Sequence, residues 1–410
     1  MPGGGAGPVS LADLPLGGLV GRTTEAAAIK RMLDDHRLVT VTGLPGVGKT
    51  AVSLEAAAAN FADGAVLVRL DALRDEALLP HSILAALLIP DRLTSSPLQV
   101  LVDHLRDRHM LLVFDNCEHL LGACAAVIAS LLQLCVKVQV LATSREPLRV
   151  PGESVLAVSP LSLRDAVELF SWRAGLEVTA ENRATVASIC AQLDKLPLAI
   201  ELAAGQPVAA KPASLLSAIE ADYDVLRDPG NPVFRHRSLR AAIGWSYELC
   251  TPTERLLWAR LSVFPGPFQM GDAQAVCTTS QLSHEEVAVG LILLTERSVL
   301  LADFQADGET REARGDREAR GDREAQEDRE AQEDREAQED REAQEDREAQ
   351  EDREAQEDRE ARGASFLLPI TLRAYGRQML RRLAEEAEFQ DRYQRWHHSR
   401  RGDRGTPSIL

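Results

Sequence analysis

Hydrophobic positions change period several times along the chain, and each change marks an element. Between Arg22 and Arg37, Ile29, Met32 and Leu33 share one face at helical spacing, which predicts an amphipathic helix. Leu38-Val-Thr-Val-Thr42 follows as a short β-branched strand. Further strands are expected at Ala65–Leu70, Met110–Asp115, Lys137–Ala142 and Ser154–Val158. Helical stretches near 49–60, 78–89, 97–108 and 118–134 separate them. Several strands are apolar throughout, so neither of their faces meets water. Such strands alternating with helices predict an α/β fold, a parallel sheet with helices on both faces.

From Ser162 onward the strand signal disappears. Helices near 163–174, 182–193, 196–204 and 212–220 predict a small helical domain, and Asn231-Pro232 marks the next boundary. Thr251-Pro-Thr-Glu254 and Ser283-His-Glu-Glu286 are helix starts with Ser or Thr at the N-cap and Glu three residues on. The helices there, followed by Ser298–Phe304 and Ser365–Leu368, predict a winged-helix domain whose two-stranded wing is split by an insertion.

The insertion changes how composition is read. Residues 311–362 are nine near-copies of a hexapeptide beginning Arg-Glu-Ala, holding 35 charged residues and net charge -11. The whole chain of 410 residues carries -17, so the remainder carries only -6. Acidity is therefore a local property of the tract. Within Arg-Glu-Ala-Gln-Glu-Asp the Glu–Glu and Glu–Asp pairs at i,i+3 and i,i+4 repel, leaving a charged helix and a self-repelling spacer both open.

No stretch of 18 apolar residues occurs, which excludes a membrane-spanning helix. MPGGGAGPVSLADLP lacks the basic start and apolar core of a secretory signal, and residues 1–16 read as a disordered tail. The six cysteines show no Cys-x-x-Cys pairing, so neither a zinc site nor a disulfide framework is expected. A reduced, cytoplasmic location follows from these readings.

The strongest chemical signal is Gly43-Leu44-Pro45-Gly46-Val47-Gly48-Lys49-Thr50, followed by Ala51, between a strand and a helix. Its glycines let backbone amides turn toward a phosphate chain. Lys49 reaches the β- and γ-phosphates, and the Thr50 hydroxyl ligates Mg2+. Asp115, closing an apolar strand, is the carboxylate suited to the Mg2+ water shell. The position just after it, where many such ATPases carry a water-activating acid, is Asn116. Glu118 and His119 are nearby substitutes for that base, although helix-start solvation explains Glu118 about as well. Thr143-Ser-Arg145 follows the fourth strand, where a γ-phosphate sensor or a solvated turn would sit. ATP hydrolysis is expected to be slow.

Five ordered motifs now share a pattern: Val20-Gly21-Arg22, Gly43–Thr50, Leu112-Val-Phe-Asp-Asn-Cys-Glu-His119, Ala142-Thr-Ser-Arg-Glu-Pro-Leu-Arg149 and Leu193-Asp-Lys-Leu-Pro-Leu-Ala-Ile-Glu-Leu202. Together they resemble the NB-ARC module of STAND-class ATPases, signal-transduction ATPases with numerous domains, and in particular the actinobacterial AfsR-like regulators. Arg237-Ser-Leu-Arg-Ala-Ala-Ile-Gly-Trp-Ser-Tyr247 and Leu261-Ser-Val-Phe-Pro-Gly266 resemble the winged-helix part of the same proteins. The resemblance covers about 17–305 and 364–396. It implies an ATP/ADP switch in signal or transcriptional regulation, with protein partners or self-association on activation. It also implies that Val20, Gly21 and Arg22 border adenine and ribose, that Arg145 senses the γ-phosphate, and that Pro197 packs on adenine. Pro197 also suits an ordinary helix N1 position. Lys195 departs from the pattern, standing where relatives have Gly. So does Leu367-Leu-Pro-Ile370, where relatives place an ADP-contacting His.

The expected organisation is a P-loop nucleotide-binding domain over 17–160, a helical domain over 161–230 and a winged helix over 231–305 and 364–385. The repeat insertion occupies 306–363, and 386–410 reads as a basic, disordered tail. Two other functions stay open. Direct DNA binding through the winged helix has only Arg235-His-Arg-Ser-Leu-Arg240 as a basic patch, against acidic surroundings. An ordinary metabolic ATPase would turn over fast without a partner. Because the repeats carry no apolar residue larger than alanine, deleting 311–362 is expected to leave nucleotide affinity and melting temperature nearly unchanged. A large loss of either, by titration or thermal melt, would show that the tract packs on the domains.

Overall fold

Strands β1 (Leu38–Thr42), β2 (Ala65–Arg69), β3 (Leu111–Asp115), β4 (Gln139–Thr143) and β5 (Glu153–Ala157) form one parallel sheet in the order β2-β3-β4-β1-β5. The computed structural model describes residues 19–57, 61–90, 96–231, 237–303 and 365–403. The expected N-terminal tail, the repeat insertion and residues 404–410 lie outside the described residues.

Side-chain alternation explains the two covered faces. Val39, Val41, Leu111, Val113 and Leu141 pack with Ile29 and Leu33 of α1 (Thr23–Asp35) and Val52 and Ala56 of α2 (Lys49–Ala57). Leu38, Leu112, Phe114, Val140 and Ala142 pack on the opposite face. There they meet α3 (Leu79–Ala86), α4 (Pro97–Leu105) and α5 (Leu121–Leu134). Each fully buried aliphatic or Phe side chain contributes about 1.5–3 kcal/mol. β3 is apolar up to its closing Asp115, and β1 and β4 likewise send apolar residues to both faces.

Four helices follow: α6 (Leu163–Ala174), α7 (Arg183–Gln192), α8 (Pro197–Ala204) and α9 (Pro212–Ala221). Then come α10 (Leu239–Leu249), α11 (Pro252–Leu261), β6 (Phe268–Gln269), α12 (Met270–Cys277), α13 (His284–Glu296), β7 (Leu301–Asp303), β8 (Ser365–Leu367), α14 (Ile370–Arg382) and α15 (Glu386–Asp403). Both expected capping boxes form, at Thr251/Glu254 and Ser283/Glu286. The last part is a winged-helix arrangement, helices with a small antiparallel sheet.

Two features differ from expectation. The wing has three strands instead of two, ordered β6-β8-β7, because Phe268 pairs with Phe366 and the two rings stack. Asp303 pairs with Ser365, so the flanks of the insertion meet across β7 and β8. The second difference is at 386–410, expected as a tail: residues 386–403 are helix α15. The charged composition concealed one buried anchor, Phe389, which is fully enclosed beneath the Arg260 guanidinium, 4.4 Å from its ring centroid. Arg260 also pairs with Glu385 at 3.0 Å and donates to Thr279 Oγ1 and Gln281 Oε1. Arg392 donates to the Val276 carbonyl, and Arg400 pairs with Asp272 at 2.6 Å. Phe389→Ala is expected to cost about 3–5 kcal/mol of winged-helix stability. An unchanged denaturation midpoint of the full chain would contradict the docking of α15.

Candidate functional site

Sheet order places three loops side by side at the C-terminal edge. Since β4 lies between β3 and β1, the Thr143-Ser-Arg145 segment sits between Asp115 and the loop after β1. One carboxylate ties them together. Asp115 Oδ1 accepts from Thr50 Oγ1 at 2.6 Å and from Thr143 Oγ1 at 2.7 Å. Thr143 Oγ1 in turn accepts from the Asn116 backbone N–H at 2.9 Å. Asn116 is buried in the left-handed region, φ +72°, a conformation that Asn tolerates better than most residues. Its Nδ2 donates to His119 Nδ1 at 3.2 Å if Nε2 carries the ring proton, and that proton meets the Leu73 carbonyl at 2.9 Å.

Gly43 and Gly46 are required by their neighbours. A Cβ on Gly43 would meet the Val158 carbonyl oxygen at 2.6 Å, and one on Gly46, at φ +75°, would meet Leu198 Cβ at 2.9 Å. Lys49 Nζ donates to the Gly43 and Leu44 carbonyls at 2.7 and 3.1 Å. The Leu44 and Val47 side chains are buried in the core and anchor the loop. Arg22 is buried too; it pairs with Glu25 and donates to the Val47 carbonyl at 3.0 Å, bracing the loop from outside.

The loop edges a cavity of about 460 Å³. Val20, Arg22, Pro45, Gly46, Gly48 and Lys49 line it, as do Thr50, Ala51, Glu118, Arg145 and Pro197. Gly21, Gly43, Leu44, Val47 and Asp115 do not, although Asp115 is hydrogen-bonded to the lining Thr50. Glu118 and Arg145 are joined to each other, Arg145 Nε to Glu118 Oε1 at 3.2 Å, each side chain 7% exposed.

Several lining residues were not singled out from sequence. Leu169 and Arg173 of α6, Leu198 and Glu201 of α8, and Ala242 of α10 close the far side, with Arg173 and Glu201 paired at 2.6 Å. Near Ala242 along α10, Trp245 packs edge-on to His119 and beneath the Arg74 guanidinium. The winged helix therefore touches the cavity directly. The Trp-Ser-Tyr run signals a motif, but nothing local to it names a partner over a hundred residues away.

Asp194 is a second residue whose role depends on distant partners. It accepts from the Ile370 and Thr371 backbone amides at 2.8 and 2.7 Å and from Thr371 Oγ1 at 2.7 Å. It therefore caps α14, the helix that begins at the Leu367-Leu-Pro-Ile370 departure. Burial pushes the Asp194 carboxyl up, while the Thr371 and Ile370 donors pull it down. Asp194 and Lys195 both have positive φ, +51° and +55°. That backbone accounts for the glycine that the family pattern places at 195. Cysteine chemistry is absent from the site. A hydrogen bond with Cys124 and burial hold the Cys117 thiol well up, and burial pushes Cys190, Cys250 and Cys277 to about 12. Among the described residues, no helix is long and apolar enough to cross a membrane, and no cluster of His, Cys, Asp and Glu fits a metal ion.

No protein-family model matches the chain. Similar solved structures include a Walker-type ATPase of Pyrococcus abyssi, with TM-score 0.45 and 14% identity over 72% of this chain and 93% of that one. A STAND protein with a tetratricopeptide repeat sensor from Pyrococcus horikoshii gives TM-score 0.35 and 16% identity over 69% and 39%. Among curated proteins, "Putative HTH-type transcriptional regulator Rv0890c" of Mycobacterium tuberculosis is 37% identical over 291 residues, 69% of this chain. The chain spans about a third of that relative's length, 33%. Mycobacterium tuberculosis also has an uncharacterized protein, Rv0894, that is 39% identical over 267 residues, 63% of this chain and 68% of that protein. This chain, a P-loop α/β fold with a helical C-terminal part, belongs to the same family as Rv0894.

Proposed function

We propose that the chain is an ATP/ADP-operated switch of the STAND, NB-ARC type that hydrolyses ATP slowly and serves transcriptional or signal regulation. The observation that carries this reading is the 2.6 Å contact of Thr50 Oγ1 with Asp115 Oδ1 beside a cavity of about 460 Å³. A hydroxyl and a carboxylate side by side at the C-terminal edge of a parallel sheet form an oxygen donor pair that fits Mg2+. Thr50 and Asp115 would hold the ion, which when bound neutralises charge on the β- and γ-phosphates.

The other roles follow from position. Residues 43–51 offer backbone amides and the α2 N-terminus to the phosphates, and Lys49 exchanges the Gly43 and Leu44 carbonyls for phosphate oxygens. Val20 and Pro197 supply apolar walls for adenine, while Arg22, with Gly21 next to it in sequence, shapes the ribose side. Arg145 reads the γ-phosphate. The functional units are 17–160, 161–230 and 231–305 with 364–385, to which we add α15. Pro197 and Ala242 bring the second and third units onto the nucleotide of the first.

A second reading, direct DNA binding through the winged helix, is favoured by the name of the Rv0890c relative. Arg240 is paired with Asp224 at 2.7 Å and Arg237 Nε donates to the Asn231 carbonyl, so these two arginines are engaged within the chain. A salt-dependent DNA shift with the full chain would establish that second reading.

Lys49→Ala is expected to abolish MgATP and MgADP binding in titration while leaving the melting temperature unchanged. Undiminished affinity in the folded variant would contradict the phosphate site. Steady-state turnover is expected on the order of one per minute or less, against about 10 per second for typical enzymes. Asn116 cannot accept a proton from water, so Asn116→Asp is expected to raise turnover. Glu118→Gln separates the remaining options: a loss of roughly a hundredfold assigns the base to Glu118, and little change leaves that role empty. Turnover of many per second without a partner would instead make the protein an ordinary ATPase.

A further inference from the structure

Three consecutive residues at the corner between α13 and β7 grip the segment that carries Arg145. Ser298 Oγ donates to the Arg145 carbonyl at 2.8 Å. Arg297 lies 3.5 Å from Glu146 and 3.3 Å from the buried Glu254, and Glu296 pairs with Arg149 at 2.6 Å. The corner itself is fixed. Val299 and Leu300 are buried, and the Val299 amide donates to the Leu294 carbonyl at 2.8 Å. Ser298 takes φ +54°, a left-handed conformation that turns the chain out of α13. Nothing in the nucleotide chemistry requires these contacts, since the corner belongs to the winged helix.

Their consequence lies in what Arg145 holds. Its guanidinium meets the Glu118 carboxylate in a nearly closed environment. A γ-phosphate would be a second anion at the same group, and ADP does not bring one. Arg145 lines the cavity and its carbonyl is held by Ser298, so that tie sets where the side chain starts from and how readily it leaves Glu118 for a γ-phosphate. Leaving would cost Glu118 a charge partner at a buried position, which opposes the change.

We infer that Ser298 is a positioning residue that sets the ATP-versus-ADP preference of the site, by holding the Arg145 main chain where its side chain serves Glu118. The inference rests on the nucleotide-switch reading above. A docked corner favours ADP; an undocked one frees Arg145 for ATP. Linkage makes the effect reciprocal: ATP loosens the corner by the same factor by which the corner weakens ATP. The winged helix is thereby informed of the third phosphate through the hydrogen bond from the Ser298 hydroxyl to the Arg145 carbonyl, without touching the phosphate.

The test is the ratio of MgADP to MgATP dissociation constants for the full chain, by titration with a non-hydrolysable ATP analogue. Ser298→Gly keeps the left-handed turn accessible and removes only the hydroxyl. It is expected to tighten the ATP analogue relative to ADP by about 3- to 10-fold, the effect of one net hydrogen bond, with ADP affinity unchanged. Ser298→Asn tolerates the same φ and restores a donor, so it is expected to return the ratio toward the parent value. Should the glycine variant not fold, Glu118→Gln weakens the competing anion and is expected to move the ratio the same way. An unchanged ratio in a folded Ser298→Gly protein that binds both nucleotides would overturn the role of Ser298 alone. A parent chain that binds neither nucleotide would overturn the switch reading with it.

Discussion

The arrangement depends on the carboxylate of Asp194, which sits at a left-handed turn and caps a helix 176 residues further along the chain. Three donors converge on it, all from the first turn of α14, whose terminal amides have no partner within the helix. Three residues later Pro197 opens α8, and the Leu198 amide donates to the Gly46 carbonyl at 3.1 Å. P-loop, helical layer and winged helix are therefore joined through a stretch of five residues. Moving α14 away would leave a partly buried carboxylate and helix-end amides without partners, a cost of a few kcal/mol at most. That magnitude is large enough to hold one arrangement and small enough for a ligand to overcome.

Around this joint the cavity is shared property. The P-loop and Arg145 come from the sheet, Pro197 and Glu201 from α8, and Ala242 from α10. Two routes lead from it to the winged helix: Pro197 through Asp194 to α14, and Arg145 through Ser298 to the α13 corner. Trp245 against His119 and Arg74 closes a third contact beside Asn116. On the proposed switch reading, these attachments are what would carry the state of the cavity to the winged helix.

Much of the sheet was legible because its strands are short, β-branched or apolar runs and its helices are periodic; both capping boxes were readable from four residues each. The phosphate loop was legible from the spacing of its own residues, and Asp115 from its place at the end of an apolar strand. What escaped was set by distance or by chemistry without a pattern. Asp194, Ser298 and Trp245 act on partners that no local spacing reveals. Strand β6 has only two residues, too short to show alternation. Helix α15 was concealed because its apolar hold is a thin stripe, Phe389, Tyr393 and Trp396, set among charged residues whose arginines also anchor it. Leu44 and Val47 belong to the loop motif through their backbone, while their side chains serve the core.

The measurement closest to the central claim is the nucleotide content of the full chain as purified, quantified after denaturation, followed by titration of the emptied protein with MgADP and MgATP. A cavity enclosed by three units, with Arg145 committed to Glu118, predicts retained ADP near one equivalent and tighter binding of ADP than of ATP. Finding no retained nucleotide, and no binding of either nucleotide at millimolar concentration, would contradict the account.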